Sequence, residues 1–269
     1  MIEMPKQSDP FRRLVAIMEI LRSPGGCPWD SEQTPQSITP YLIEEAFEVV
    51  DAIEQSDTAN LKEELGDLLL QVVFQARMAQ EVGDFDIDGV AEAISNKLVE
   101  RHPHVFGDAE ADTPDQVLTN WEAIKAEERK AKGVERTSML DGIPNHLPAL
   151  LKARRAQEKA TRVGFDWDSV DEVVAKVDEE MGELRQAMSD ADEGHIDEEM
   201  GDVLFALVNL SRFLSTDPER ALRKTIDKFG ERFRYIERRL EHEGTDVHEA
   251  TIEQMDALWE ESKKTRGGS

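Results

Sequence analysis

One pattern of five carboxylates occurs twice in this chain of 269 residues. The first copy consists of Glu44, Glu45, Glu48, Glu64 and Asp67, and the second of Glu179, Glu180, Glu183, Glu199 and Asp202. In each copy, E-E-x-x-E is followed by E-x-x-D at the same distance, since Glu45 and Glu64 are 19 positions apart, as are Glu180 and Glu199. Corresponding residues of the two copies are 135 positions apart. This regularity indicates a duplicated unit that holds carboxylates in a fixed geometry.

The repeat extends beyond the carboxylates. A Trp-Asp pair precedes each copy, and a K-x-x-x-R motif and then a W-x-x-x-K motif follow it. The matched residues are Trp29, Lys97, Arg101, Trp121 and Lys125 in the first half and Trp167, Lys228, Arg232, Trp259 and Lys263 in the second. Trp29 and Trp167 lie in loops rich in Pro and Gly, and packing explains them at least as well as substrate contact. The common order predicts two tandem domains, 1–130 and 147–269, joined by a linker at 131–146 that contains turn-forming Gly and Pro.

Apolar residues recur with helical periodicity along most of the chain, and the alternation typical of strands is scarce. Helices are predicted over 11–22, 40–55, 60–81, 87–101, 114–131, 146–160, 169–190, 196–214, 217–243 and 250–264. The helix at 196–214 is apolar nearly all round, so we expect it to be buried. The sequence therefore predicts an all-α protein.

The E-x-x-E and E-x-x-D motifs, if presented on two facing helices, supply four hard oxygen ligands. Mg²⁺ and Mn²⁺ prefer carboxylate and water, whereas a di-iron bundle uses E-x-x-H, which this sequence lacks. A buried carboxylate must be paired, protonated or bound to a cation. In the first copy Gln71 and Gln75 share the side of Glu64 and Asp67, which allows a wetter stripe there.

A carboxylate-bound Mg²⁺ commonly keeps positions open for substrate phosphates, and cations must then offset the phosphate charge. Lys228 and Arg232 lie four residues apart on one predicted helix face, and Arg can grip phosphate through two donors. Trp259 and Lys263 have the same spacing, so the indole could stack on a base while the ammonium meets phosphate. Taken singly, each pair is more typical of packing or surface charge; their repetition favours a site. No P-loop motif is present.

Composition limits the partners. The formal net charge of −26 argues against a nucleic-acid polymer or an anionic membrane surface as partner. The single cysteine, Cys27, excludes an internal disulfide and suits a reducing compartment. The segment 1–10 lacks the apolar core of a signal peptide, and no stretch approaches the ~18 apolar residues of a membrane span. We therefore expect a cytoplasmic protein.

The whole chain resembles the MazG-type nucleoside triphosphate pyrophosphohydrolases, members of the all-α NTP pyrophosphatase superfamily that also includes dimeric dUTPases. The segments that carry the resemblance lie in both halves: GGCPWD (25–30), LIEEAFEVVDAI (42–53), LKEELGDLLLQVVF (61–74), RHPHVFGD (101–108), LDGIP (140–144), VGFDWD (163–168), VDEEMGEL (177–184), DEEMGDVLFALVNL (197–210) and KFGERFR (228–234).

The resemblance implies helical domains that complete a four-helix-bundle core by homodimerisation and hydrolyse nucleoside triphosphates to monophosphate and pyrophosphate, with Mg²⁺ and broad base specificity. The implied metal ligands are Glu180, Glu183, Glu199 and Asp202, matched in the first half by Glu45, Glu48, Glu64 and Asp67. The implied nucleotide contacts are Lys176, Glu179, Lys228, Arg232, Trp259 and Lys263. A carboxylate among Glu179, Glu180 and Glu183 is expected to assist deprotonation of the attacking water.

The two copies differ at one position beside the carboxylates, where Tyr41 stands in place of Lys176. The first copy thereby lacks a phosphate-binding cation, and we predict that the second domain is the main catalytic one, with a role in nucleotide-pool control. Two alternatives stay open: a metal- or nucleotide-binding regulatory protein without significant turnover, and a dimerisation scaffold whose motifs are surface charge.

Overall fold

The computed structural model describes residues 5–131, 133 and 138–265. Helices are the regular structure of these residues, with no strand among them, which confirms the all-α prediction. The helices are α1 (Pro10–Arg22), α2 (Pro28–Glu32), α3 (Thr39–Gln55), α4 (Thr58–Glu81), α5 (Ile87–Arg101), α6 (Pro103–Phe106), α7 (Pro114–Ala131), α8 (Ala149–Thr161), α9 (Val170–Asp190), α10 (Glu193–Phe213), α11 (Pro218–His242) and α12 (Ile252–Thr265).

Ten of these helices correspond to predicted ones, and the two short helices α2 and α6 were not predicted. The two short helices both begin with a proline, α2 with Pro28 and α6 with Pro103. Proline there loses no intrahelical hydrogen bond and already has a helical φ, so it can start a helix as well as end one.

The chain divides into two compact units, Met1–Val134 with α1 to α7 and Glu135–Ser269 with α8 to α12. The division falls within the predicted linker 131–146. Residues 132 and 134–137 of that linker lie outside the described residues. The predicted domain bounds therefore stay a prediction.

Each unit contains a helical hairpin closed by a two-residue turn. In the second unit, Ala191 adopts a left-handed conformation with φ 54° and ends α9, and the Asp192 carboxylate caps α10 by accepting hydrogen bonds from the backbone N–H groups of Gly194 and His195. Between α3 and α4, Ser56 likewise ends α3 in a left-handed conformation, with φ 58°, and the Asp57 carboxylate caps α4. A left-handed residue followed by an N-cap reverses the chain with little loop.

The core of the first unit lies between α1 and α4, where Met18, Val73, Phe74 and Met78 are buried together with Ile38. In the second unit α8 and α9 pack on α10, and a separate cluster of Ile236, Leu240 and Leu258 joins α11 to α12. Among the described helices, none combines the length and apolar content needed to cross a bilayer.

The prediction that α10 is buried all round is wrong for the single chain. Val203, Ala206 and Val208 are buried, but Met200, Leu204 and Leu207, which share another side of the helix, are each exposed by 44% to 48%. The reason is that α8 and α9 together cover only one side of α10.

Candidate active site

The hairpin geometry brings the second carboxylate set to one level. Glu183 lies eight residues before Ala191, and Glu199 lies eight residues after it. With a rise of about 1.5 Å per residue, both lie about 12 Å along their helices from the turn. The first hairpin repeats this arrangement around Ser56. The 19-residue spacing in the sequence thus becomes proximity across two antiparallel helices.

Three carboxylates of the second unit converge. Glu180, Glu199 and Asp202 each offer an oxygen, and the three oxygens lie within 4.8 Å of one another. Glu180 is 7% exposed, and the Oε2 atom of Glu199 is buried without a hydrogen-bond partner. A buried carboxylate oxygen without a donor is costly, and a divalent cation would satisfy it. The donor set therefore fits a hard metal ion.

Glu183, the fourth expected ligand, lies beside this cluster but outside the set of three. Its carboxyl shares a hydrogen bond with Glu180, and this contact, loss of hydration and the charges of Glu180 and Glu199 raise the pKa of Glu183. Adjacent carboxylates disfavour one another's ionised form unless a cation intervenes.

Lys176 supplies a positive charge to the cluster. Its Nζ atom lies 2.8 Å from a carboxylate oxygen of Glu179 and 2.8 Å from one of Glu180, one helical turn along α9. Hydrogen bonds to Glu179 and Glu180 raise the pKa of Lys176, so the ammonium stays charged at neutral pH. Lys176 thus offsets part of the negative charge of the carboxylates.

The first unit has a similar cluster without that cation. Oxygens of Glu45, Glu48 and Glu64 lie within 4.8 Å of one another, and Asp67 is not one of the three. Partial burial, followed by the charges of neighbouring carboxylates, raises the pKa of both Glu45 and Glu64. Tyr41, at the position of Lys176, instead makes an edge contact with Trp29, with ring centroids 6.1 Å apart.

The wetter stripe that the sequence allows beside Glu64 and Asp67 does not extend to Gln71. Gln71 is only 7% exposed, and Gln75 is tied down because its Nε2 atom donates to the Pro35 carbonyl at 3.1 Å. Gln71 packs inside the unit because α4 is covered here by α1, whereas Gln75 is half-buried.

A cavity of about 520 Å³ opens beside the converging carboxylates of the second unit. Lys176, Glu180 and Asp202 line it where α9 meets α10, and Phe165 and Trp167 line it from the loop that follows α8. This volume lies in the range of small-molecule sites. Charged groups at one side and apolar walls at the other suit a ligand that is both phosphorylated and aromatic.

Several cavity residues were not predicted as site residues. Gln157 of α8 and Asn209 and Arg212 of α10 line the cavity, and none belongs to a repeated motif. The sequence contains one sign of this cavity: the position of Asn209 in the second half corresponds to Phe74 in the first half, 135 residues earlier. A polar residue at a position that is apolar in the other copy marks a changed environment.

The remaining expected nucleotide contacts lie elsewhere in the second unit. Lys228 and Arg232 are on α11, Trp259 and Lys263 are on α12, and none of the four lines the cavity. The Arg232 guanidinium lies 5.3 Å from the centre of the Trp259 ring, and Lys263 pairs with Glu260. Within one chain the structure thus brings Lys176 to the carboxylates but does not bring these four residues there.

Comparisons with known proteins identify the relatives of this chain. The family model described as "MazG nucleotide pyrophosphohydrolase domain" matches twice, at residues 33–106 and 168–236. A Thermotoga maritima protein named "Nucleoside triphosphate pyrophosphohydrolase/pyrophosphatase MazG" is 49% identical over 253 residues, 94% of this chain and 95% of that protein. An Escherichia coli K12 protein named "Nucleoside triphosphate pyrophosphohydrolase" is 49% identical over 257 residues, 94% of this chain and 96% of that protein.

A solved structure, "Crystal structure of mazG-related protein from Thermotoga maritima", aligns with a TM-score of 0.38 and 29% identity over 43% of this chain and 98% of that chain. The double match of the family model confirms the tandem arrangement, and each matched segment contains one complete carboxylate set. The family model matches one segment in each half, and both relatives are 49% identical over 94% of this chain. This chain therefore belongs to the MazG nucleotide pyrophosphohydrolase family.

Proposed function

We propose that this chain is an enzyme that hydrolyses nucleoside triphosphates to nucleoside monophosphate and pyrophosphate, with Mg²⁺ or Mn²⁺, chiefly in its second unit. The observation that carries the proposal is the placement of Glu180, Asp202 and Lys176 at one cavity of about 520 Å³. The names of the Thermotoga maritima and Escherichia coli relatives support the same reaction.

Glu180, Glu199 and Asp202 are the residues that would hold the metal ion, with Glu183 at their side. A divalent ion held there would supply positive charge to offset the phosphates and would lower the pKa of a nearby water. The water oxygen attacks a phosphorus atom of the α–β anhydride, the bridging P–O bond between the α and β phosphorus atoms breaks, nucleoside monophosphate and pyrophosphate separate, and the water proton passes to a carboxylate. Glu179, Glu180 and Glu183 are the candidate acceptors of that proton.

Lys176 is the cation best placed to meet phosphate in the second unit. It lies between the carboxylates and the cavity, and a lysine ammonium can exchange a carboxylate partner for a phosphate oxygen. Lys228, Arg232, Trp259 and Lys263 remain proposed nucleotide contacts. Their place on α11 and α12 requires either movement or a second copy of the chain for them to reach the same ligand.

We also propose that the chain works as a homodimer. The open side of α10 exposes a row of large apolar side chains, Met200, Leu204 and Leu207, next to the carboxylate helix face, and Val174 of α9 is 42% exposed. A row of exposed large apolar side chains on one helix side is typical of an interaction site. The expected cytoplasmic location and role in nucleotide pools stay predictions.

The test of the reaction is release of pyrophosphate from ATP, GTP, CTP and UTP with Mg²⁺, with and without EDTA. Glu180→Gln should lower kcat at least a hundredfold, because it removes a charged metal ligand from the cluster. Glu45→Gln is the matched control at the equivalent position. If no triphosphate releases pyrophosphate, the proposal is wrong; if only Glu45→Gln abolishes release, the assignment to the second unit is wrong.

A structural or regulatory role is the second candidate, and it applies to the first unit. In the first unit Tyr41 occupies the position that Lys176 occupies in the second. The cluster of Glu45, Glu48 and Glu64 therefore has no lysine at that position. Calorimetric titration of Mn²⁺ into the full chain and into Glu45→Gln and Glu180→Gln would separate metal binding from turnover. Loss of one binding event with turnover retained in Glu45→Gln would support this role.

A further inference from the structure

The chain that enters the second unit forms a compact turn at residues 138–144. The backbone N–H groups of Leu140 and Asp141 donate to the Oγ atom and to the carbonyl of Ser138, at 3.1 Å and 3.2 Å. The Asp141 carboxylate accepts from the N–H of Ser138 at 3.0 Å. Gly142 follows in a left-handed conformation, with φ 82°, which a side chain would disfavour. These bonds give the turn a defined shape, and the turn belongs to the second unit.

Lys159 of α8 ties this turn to the rest of the unit. Its Nζ atom donates to the Asp141 carbonyl at 2.7 Å and to the Met139 carbonyl at 3.4 Å. Hydrogen bonds from a charged donor are stronger than those from a neutral one. Packing contributes less here, because the side chains of Met139 and Leu140 are exposed by 55% and 46%. The Lys159 ammonium therefore acts as a latch for the turn.

Leu140, which lies between the two latched carbonyls, forms part of the wall of the cavity. Lys159 is not one of the described residues that line the cavity, whereas its α8 neighbours Ala156 and Ala160 are. The turn thus lies at the α8 side of the cavity, and the open surface of Leu140 is available to a bound molecule. Apolar surface that a ligand covers favours the arrangement of the turn that supplies it.

We propose that residues 138–144 form a strap over the cavity, latched by Lys159, and that occupation of the cavity and order of the strap stabilise each other. The proposal rests on the proposed function, because the molecule that occupies the cavity is the substrate. By linkage, the latch raises the affinity for this molecule by the same factor by which the molecule stabilises the strap. Lys159 is thus a positioning residue that acts through the turn.

The strap lies between the two segments that match the family model, 33–106 and 168–236. Occupation of the cavity in the second unit therefore changes the order of the chain that joins the two halves. This coupling needs no contact between the two units, because the strap and the cavity both belong to the second unit.

Pyrophosphate release from ATP with Mg²⁺ tests the latch in the full chain. Lys159→Met should raise KM about fivefold, because charged hydrogen bonds to the strap are lost, while kcat changes by less than about twofold. Lys159→Arg keeps donors for the two carbonyls and should restore KM to within about twofold of the wild type. Lys152→Met, at an exposed lysine of the same helix, is the matched control and should change neither constant. An unchanged KM in Lys159→Met would overturn the latch.

A second variant tests the strap without touching the latch. Leu140→Ala keeps the carbonyls that Lys159 holds but removes apolar surface from the cavity wall, so KM should rise about threefold. Met139→Ala is the control, since Met139 is more exposed and is not one of the described residues that line the cavity. Both side chains are exposed, so neither change endangers the fold. Equal KM values for Leu140→Ala and the wild type would overturn the role of the strap.

Hydrogen exchange measured by mass spectrometry follows the strap without turnover. The probe is α,β-methylene-ATP with Mg²⁺, which cannot be cleaved at the α–β linkage. In the wild type the probe should slow exchange in the peptide that contains Leu140 and Asp141 at least about threefold, and in Lys159→Met this peptide should exchange faster and gain less protection.

This measurement separates the strap from the proposed reaction. Protection by the probe would support the strap even if the wild type released no pyrophosphate. Absence of protection would overturn the strap, and pyrophosphate release by the same protein would then show that the proposed function stands without it.

Discussion

At the scale of single residues, Lys176 and Tyr41 make the two carboxylate clusters electrostatically different. In the second unit the ammonium touches Glu179 and Glu180, whereas in the first unit the equivalent side chain is an aromatic ring beside Trp29. The pKa values of Glu45 and Glu64 are accordingly raised by burial and by their acidic neighbours. The cluster with its own cation is better suited to remain ionised around a metal.

Replacing Lys176 should therefore impair the enzyme more than the equivalent change in the first unit. Lys176→Met should lower kcat/KM for ATP at least tenfold, because the carboxylates lose their neutralising partner and the phosphates lose a cation. Tyr41→Met is the control and should change kcat/KM less than twofold. Pyrophosphate release measures both, and equal effects of the two changes would contradict the assignment.

A second residue-scale contact ties α1 to α4. Arg22, with a side chain only 7% exposed, forms a bidentate pair with Glu81 and also donates to the carbonyl of Gln33. The hydrogen bond from Arg22 is the main cause that lowers the pKa of Glu81, followed in the same direction by Arg77. Loss of Glu81 would leave a buried guanidinium partly unpaired.

Glu81→Gln should destabilise the folded protein by about 1–3 kcal/mol at pH 7. Because the pKa of Glu81 is lower in the folded than in the unfolded chain, the stabilisation is complete above its ordinary pKa of 4.5 and is lost as the pH falls through the lowered value. Urea unfolding at pH 7 and at acid pH measures the difference between wild type and variant. A difference that is equally large at pH 3 would contradict this explanation.

At the scale of elements, the two hairpins depend on turns whose left-handed residues are not glycine. Ala191 and Ser56 have φ values of 54° and 58°. A side chain in this region costs roughly 1–2 kcal/mol, and glycine avoids that cost. The turn at Ala191 lies midway between Glu183 and Glu199 in the sequence, so the two carboxylates lie at the same level of their antiparallel helices.

Ala191→Gly should stabilise the second unit by about 0.5–1 kcal/mol without changing its carboxylate geometry. The measurement is thermal unfolding, together with pyrophosphate release at saturating ATP. Ala187→Gly, in the buried face of α9, is the opposite control and should destabilise. A fall in the melting temperature of Ala191→Gly would show that the backbone at this turn differs from the one described.

At the scale of the whole molecule, the duplication has produced two unequal units. Each folds a carboxylate hairpin, but the second places a cavity beside its carboxylates, whereas in the first Phe74 fills the position equivalent to Asn209. Both hairpins expose apolar side chains, among them Leu65 and Leu69 of α4 and Leu204 of α10. These surfaces are the reason to expect a second copy of the chain.

Leu204→Glu should weaken the homodimer at least tenfold, because it places a charge in the exposed apolar row of α10. Light scattering over a range of protein concentrations measures the mass in solution. Val82→Glu is the control, since Val82 is 74% exposed and lies at the end of α4, away from this row. A wild type that is monomeric at high concentration would contradict the expected dimer.

The sequence by itself determined the ten long helices, the duplication and the convergence of the carboxylates, because periodicity, caps and spacing act over a few residues or a single turn. Only the tertiary structure decided which three oxygens converge, that α10 keeps one side open, and that Gln157 meets the cavity beside Asn209. The oxygens converge through the packing of α9 on α10, and the other two features depend on how α8 and the loop after it pack on α10, about 50 residues later in the chain. No local pattern encodes that packing, and only the Asn209–Phe74 mismatch pointed towards it.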